Sequence, residues 1–398
     1  MMHTQLNLGG PRRSVGRNVA PALGLFVAIL ALLATPAVLR AQCAPTTLPI
    51  QEGMTVATCS SVLDPGTSRV VVLYDTRNPA VNAPGLDVNW YAPQMHNDVP
   101  LTGDTWNRDN LGHVFGLCLD DAANPNVYVT ATQLWGFNVF GPAGSGGVYR
   151  LDGTTGAIST FATLPNVSVA LGNIDHETIG GHFYVSNFDD GLIYHLDASG
   201  APGATPTYDH GVDGIAGTAN DIPDDSTVTL TQLGRRVWGL QVNEVEDRLY
   251  YAVWWENGTD TAGVDNEIWS VQLNSVTRDP IPNTAQLEFT IPAINGRVHP
   301  VADITFDDTG TRMVIAQRTM NGNALNNGAH QSSVLEYLGN TGGWVASATN
   351  KYLVGGIAGG RNAAGGVDLD CEGNVWASAD ALHLTAGDYN YEIGRAHV

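Results

Sequence analysis

The feature that most constrains this chain is a unit of short β-type runs that returns several times. Gly112 to Pro165 holds its clearest copy. Gly116-Leu-Cys-Leu-Asp120 is followed by Asn126-Val-Tyr-Val-Thr-Ala-Thr132, Gly147-Val-Tyr-Arg-Leu-Asp-Gly-Thr-Thr-Gly156 and Ile158-Ser-Thr-Phe-Ala-Thr-Leu164. Val127, Val129 and Ala131 alternate with Tyr128, Thr130 and Thr132, the period-2 pattern of a strand. Asp152-Gly153 and Thr155-Gly156 supply turns. Further openings stand at Gly172-Asn-Ile-Asp-His176, Gly239-Leu-Gln-Val-Asn243, Asp303-Ile-Thr-Phe-Asp307 and Gly366-Val-Asp-Leu-Asp370, recurring about every 56 to 67 residues. Each is followed by an acidic or polar turn and a second strand. A four-stranded antiparallel sheet of this kind has two apolar faces and cannot bury both alone, so it needs copies of itself as neighbours. The expectation is an all-β chain, a β-propeller of four-stranded antiparallel blades with about five blades visible over 111–391. A two-sheet β-sandwich is the competing arrangement; it explains the repeated order less well.

The ends of the chain read differently. Residues 1–41 resemble an export signal: Arg12, Arg13 and Arg17 precede an apolar run from Pro21 to Leu33, broken by Thr35-Pro36. The run falls short of the ~20 residues a spanning helix prefers, although a retained anchor is the alternative. Residues 42–110 form an N-terminal segment with one convincing strand, Val70 to Tyr74, expected to join the ring and close it. Glu392-Ile-Gly-Arg-Ala-His-Val398 reads as the translation of a sequencing adapter, GAG-ATC-GGA-AGA-GCA-CAC-GTC. The natural sequence is therefore expected to stop near Tyr391 and the protein to continue, leaving open sheet edges. Arg395 and His397 carry no functional weight on that reading.

Charge narrows the partners. The chain carries a formal −21. Loss of Arg12, Arg13, Arg17 and Arg40 with a signal, and of no acid, takes it to about −25. Such a surface repels phosphate backbones and anionic lipid, which excludes nucleic acid and membrane surfaces as partners of the propeller. It suits a secreted or cell-surface protein with an extracellular ligand, a glycan or another protein. Cys43 and Cys59 could bridge near the mature N-terminus; Cys118 and Cys371 could meet only by ring closure, or remain buried thiols.

Leu111-Gly-His-Val-Phe-Gly116, Asn187-Phe-Asp-Asp-Gly191, Arg236-Val-Trp-Gly239 and Asn362-Ala-Ala-Gly-Gly-Val-Asp368, with the runs at 126–132 and 147–156, resemble the N-terminal propeller region of large bacterial secreted or surface-anchored proteins of unknown function. That resemblance implies location and architecture and brings no catalytic residues. More distantly the blades look like NHL and gluconolactonase-type propellers.

A gluconolactonase-type site would hold a divalent ion in the central channel on oxygen ligands, which would select Ca²⁺ or a similar hard ion. The candidates are Asn173, Asp175, Asp303 and Asp368, all on inner-strand motifs. They do not form a matching set, since the residues aligned with Asn173 include Leu117, Leu240 and Val367. Inner-strand Asp also serves as a turn acceptor. His176, His182 and His195 are dispersed by strand spacing, and no nucleophile elbow or phosphate loop is present. Trp254-Trp255 places adjacent rings on opposite strand faces, so one ring should be exposed or lie beneath a loop; Trp255 beside Glu256-Asn257 is a candidate sugar platform. The acidic stretch Thr207 to Leu233 and the Asn/Gly-rich stretch Met320 to His330 read as exposed loops where binding could live. Two classes of function follow: an extracellular binding or display module without catalysis and without a required cofactor, or a channel-metal hydrolase or lactonase.

Overall fold

The computed structural model describes residues 48–59, 69–75, 94–96, 105–134, 139–166, 170–210, 235–255, 265–294, 298–320, 331–354, 359–371, 373–379 and 392–397. All belong to one compact unit, Pro45–Val398; Met1–Ala44, with the expected export signal, forms a separate unit and contains no described residue.

Apart from short helical turns such as Arg108–Leu111, the regular structure is β. Strands β4 (Val114–Leu119), β5 (Val127–Ala131), β6 (Gly147–Leu151) and β7 (Ile158–Thr163) form the sheet expected from the first repeat, each strand antiparallel to the next. Three more sheets repeat the order. They are β8 (Leu171–His176) to β11 (Pro202–Asp209), β12 (Arg235–Asn243) to β15 (Gln286–Ile291), and β16 (Val301–Phe306) to β19 (Gly343–Tyr352). A fifth, two-stranded sheet pairs β20 (Ala363–Leu369) with β21 (Val375–Ala379). The sixth draws on both ends of the chain. Its order is β22 (Glu392–His397), β1 (Met54–Cys59), β2 (Val71–Asp75), β3 (Gln94–His96).

The first strand of each blade touches the first strand of the next, in the order β22, β4, β8, β12, β16, β20 and back to β22. Those contacts close a ring, the defining arrangement of a β-propeller. Apolar residues from facing sheets fill the wedges. Cys118, Tyr128 and Val148 of the β4–β7 blade, for example, pack with Leu171, Phe183 and Leu196 of the β8–β11 blade.

One contact repeats between blades. A hydroxyl on the second strand donates to a carbonyl on the neighbouring inner strand: Thr58 to Phe115 at 3.0 Å, Thr130 to Gly172 at 2.8 Å, and Ser186 to Trp238 at 2.5 Å. The three carbonyls occupy equivalent positions in their blades, by the registers Val129↔Leu117, Val185↔Ile174 and Tyr251↔Leu240. The opposite ends of the inner strands are finished by Asp caps. Asp120 accepts from the Asn126 backbone at 2.8 Å and the Asn126 amide at 2.6 Å, and Asp370 accepts the same two bonds from Asn374 at 2.7 and 2.8 Å. These are the acidic turns of the repeat, in their structural role.

The ends depart from expectation in detail. The strand expected at Val70 to Tyr74 is Val71–Asp75 and joins a blade, but it lies between β1 and β3. The strand that brings the two ends of the chain together is β1, paired antiparallel with Glu392–His397 (Thr55↔His397, Val56↔Ala396). So the edge expected to stand open is occupied by the heptapeptide's own residues. Cys118 is a buried free thiol, so the expected Cys118–Cys371 bridge is not formed; Cys43 lies outside the described residues, and the expected Cys43–Cys59 bridge with it.

Candidate functional site

The axis of the ring is built in layers, with one residue each from β4, β8, β12, β16 and β20 per layer. Phe115 and Trp238, at equivalent positions of β4 and β12, reach inward until their rings stand 5.3 Å apart. Small residues take the same position elsewhere: Gly172, Ala302 and Gly365. Gly365 has φ +96°, and a Cβ there would lie 3.1 Å from Phe115 and 3.3 Å from Ala302. Leu134, Ala170, Phe188, Trp254, Val298 and Met320 complete this apolar cluster. Arg236 closes it on one side; its guanidinium lies 5.0 Å over the Phe188 ring and donates to the Phe188 carbonyl.

The next layer is polar. The structure shifts the sequence alignment by one: Asn173 is equivalent to Asp303 and to Gly116, Gly239 and Gly366, because each inner strand carries a register irregularity just before this point. Asn173 and Asp303 therefore meet across the third blade's glycine, and Asn173 Nδ2 donates to Asp303 Oδ1 at 2.7 Å. A Cβ on Gly239 would come within 2.9 Å of the Asp303 backbone nitrogen, so only glycine fits there.

Three further carboxylate bonds run from blade to blade. Asp303 Oδ2 accepts from the Val367 N–H at 2.9 Å, and Asp175 Oδ2 accepts from the Val242 N–H at 2.7 Å. Asp368 Oδ1 accepts from its own neighbour Leu369 at 2.8 Å and from the Thr305 hydroxyl at 3.3 Å. Burial pushes the Asp175 carboxyl up to about 8, against the pull of the Val242 N–H, with Glu244 adding to the rise. Burial likewise raises Asp303 well above the ordinary carboxylate range, and Asp368 adds to that rise.

Of the four candidates, then, the structure brings Asn173 and Asp303 into direct contact, while Asp175 and Asp368 hold other strands. Among the described residues no group of three or more His, Cys, Asp and Glu side chains is placed to hold a metal ion. Asn173 and Asp303 are arranged as a hydrogen-bonded pair rather than as converging acceptors: Asn173 presents an N–H to Asp303, and both Asp303 oxygens accept backbone N–H bonds. Trp254 is buried, its indole donating to the Val298 carbonyl at 3.3 Å. Trp255 ends β13 (Arg248–Trp255) opposite Arg235; its side chain lies outside the described residues, as do residues 211–233 and 321–330 of the two expected loops, while residues 207–209 of the first belong to β11.

Sequence reasoning missed a polar chain between the β8–β11 and β12–β15 blades. His182 Nδ1 and His195 Nε2 are 2.7 Å apart, and His195 Nδ1 meets Asp279 Oδ1 at 2.8 Å. The rings of His182 and His195 stack, and Tyr184 stacks on His195. Burial lowers the His195 pKa despite Asp279. Below it, the buried Arg278, in a left-handed turn at φ 58°, pairs with the buried Glu177 at 3.2 Å and with Asp247 at 2.7 Å. His182 and His195 come together because β9 (Phe183–Asn187) and β10 (Leu192–Leu196) pair Phe183 with Leu196. Pairing partners of adjacent strands were the available signal. His113 and His299, which precede inner strands, are both buried, and burial takes His113 down to about 4.

No protein-family profile matches this chain. No curated protein matches it either. Solved structures do. A protein from Bacteroides uniformis provisionally named a 6-phosphogluconolactonase is 10% identical, over 87% of this chain and 99% of that one, with a TM-score of 0.45. A nidogen/laminin complex matches at 11% identity over 86% and 97%, TM-score 0.43. Regucalcin, a calcium-binding protein from Agrobacterium tumefaciens, matches at 12% over 72% and 76%, TM-score 0.36. By its own sheets and ring this chain is a β-propeller; at such identities the likeness carries nothing about activity.

Proposed function

We propose that this protein is a non-catalytic binding or display module that works outside the cell, at the head of a larger secreted or surface-anchored protein. The observation that carries the reading is the commitment of the axial acids. Asp175 and Asp303 both accept N–H bonds from the neighbouring blade's inner strand, and Asn173 is bonded to Asp303. On this reading the groups that a channel-metal enzyme would use as ligands serve as cross-links between blades. The negative charge, the N-terminal apolar run and the resemblance of the repeats support the location. The ligand is a glycan or a protein; Trp255 and the stretches Thr207 to Leu233 and Met320 to His330 remain candidates for contacting it.

The rival is a lactonase of the channel-metal type. Purified protein assayed with aldonolactones, with and without added Ca²⁺, Mn²⁺ or Zn²⁺, is expected to hydrolyse them at the uncatalysed rate. Metal-dependent turnover that disappears in Asp303→Asn would overturn the proposal. Fractionation of cells that make the full-length chain should find it in the medium or on the cell surface.

A further inference from the structure

The junction between the β12–β15 and β16–β19 blades holds a cleft of about 340 Å³, bordered by Tyr250, Arg248, Glu246, Glu288, Asn340 and Trp344. Tyr250 forms part of its lining: its hydroxyl donates to Glu246 Oε2 at 2.5 Å and accepts from the Trp344 indole N–H at 3.3 Å. Trp344, half-buried, meets Tyr250 edge-on at 5.9 Å and Phe306 at 5.8 Å. Gly339 lies against the indole, where a Cβ would sit 3.5 Å from the ring, and Gly343 opens on empty space. The indole is thus held in one orientation at the cleft wall.

The polar groups around it are only partly used. Arg248 gives Nε to the Ser270 hydroxyl at 2.7 Å and Nη2 to the Ser270 and Thr284 carbonyls at 3.1 Å each, which leaves Nη1 without a hydrogen-bond partner among the described residues. Glu288 Oε1 accepts from Ser270 and from Gln286 at 2.7 Å, and among the described residues Glu246 uses only Oε2. Glu288 Oε2, Glu246 Oε1, Arg248 Nη1 and the Asn340 amide N–H groups therefore remain to bond a ligand. Two acceptor carboxylates repel an anion, and the guanidinium beside them adds a donor among the acceptors. Interleaved acceptors and donors beside an indole match a neutral molecule with many hydroxyls and a C–H face.

We propose that this inter-blade cleft binds a neutral carbohydrate, with the Trp344 indole as stacking surface and Glu246, Glu288 and Arg248 bonding sugar hydroxyls. The proposal rests on the binding-module reading and gives that module a ligand class and an address apart from Trp255. The test is affinity electrophoresis of the full chain in gels containing neutral polysaccharides (xyloglucan, galactomannan, dextran, mixed-linkage β-glucan) or charged ones (alginate, chitosan). At least one neutral polysaccharide is expected to retard the protein. Trp344→Ala should weaken that retardation about tenfold. Trp344→Phe should restore most of it, and Glu288→Gln, which leaves the ring packing intact, should weaken it several-fold. Thermal melts of each variant show that the fold is retained. Retardation by no polysaccharide, or only by charged ones, would overturn the proposal. So would variants within about twofold of wild type. If Trp255→Ala alone abolishes retardation, the cleft is wrong and the module reading stands; metal-dependent lactone hydrolysis would sink that reading instead.

Discussion

The axis and the inter-blade cleft both carry acidic side chains, and they teach opposite lessons. At the axis, Asp303 accepts from Asn173, Ile304 and Val367, and Asp175 from Val242. Both Asp303 oxygens and one of Asp175's are thus taken by the fold. In the cleft, Glu246 and Glu288 each keep one oxygen without a protein donor among the described residues, beside an indole and a guanidinium group with a nitrogen to spare. An acid on an inner strand looks more like an active-site group than one on an outer strand. What decides is which of its lone pairs the protein has already used.

Substitutions can break this contrast, and their effects should fall in order. Trp238→Ala empties the apolar layer between Phe115, Phe188 and Trp254, and urea unfolding should show a loss of about 3–5 kcal/mol. Asp303→Ala strands the buried Val367 N–H and the Asn173 amide, and the same measurement should show about 2–4 kcal/mol. A smaller loss than that of an exposed acid would mean the axial bonds are not structural.

The third test uses pH. Asp175 titrates near 8 when folded and near 3.8 when unfolded, so between those values the folded state holds a proton that the unfolded state has released. Its contribution is fully present below about pH 4, declines as pH rises, and is gone above about pH 8, a span on the order of 5 kcal/mol at most. Asp175→Asn should flatten that part of the stability-versus-pH curve; an unchanged slope would refute the assignment. Last and smallest, Glu288→Gln should move stability by no more than about 0.5 kcal/mol while altering ligand retention. A large destabilisation there would erase the difference between the two regions.

Much of the fold was legible. The inner-strand motifs at Gly116, Gly172, Gly239, Asp303 and Gly366 and the strands that follow them alternate clearly, and their turns carry Asp and Gly. The strand Met54–Cys59 was not legible: all six residues are buried, so it has no polar face to set a period, and Ala57 and two threonines dilute its hydrophobicity. The candidate acids were found as residues and misaligned by one position. The register irregularity before each of them inserts a residue that no single-sequence pattern marks. The contact between Asn173 and Asp303 spans 130 positions and depends on ring closure, and the cleft is assembled from strands of two blades. Local pattern cannot report either.

The second-strand hydroxyls carry one further consequence. Thr58, Thr130 and Ser186 fasten their blades to the next, but the two positions that follow in the series are Ala252 and Ala316, both buried. The protein thus holds, in its own earlier repeats, a template for its later ones. Writing serine at Ala252 would let the older half of the pattern edit the younger, and a gain of about 1 kcal/mol would show that the copies are still interchangeable parts.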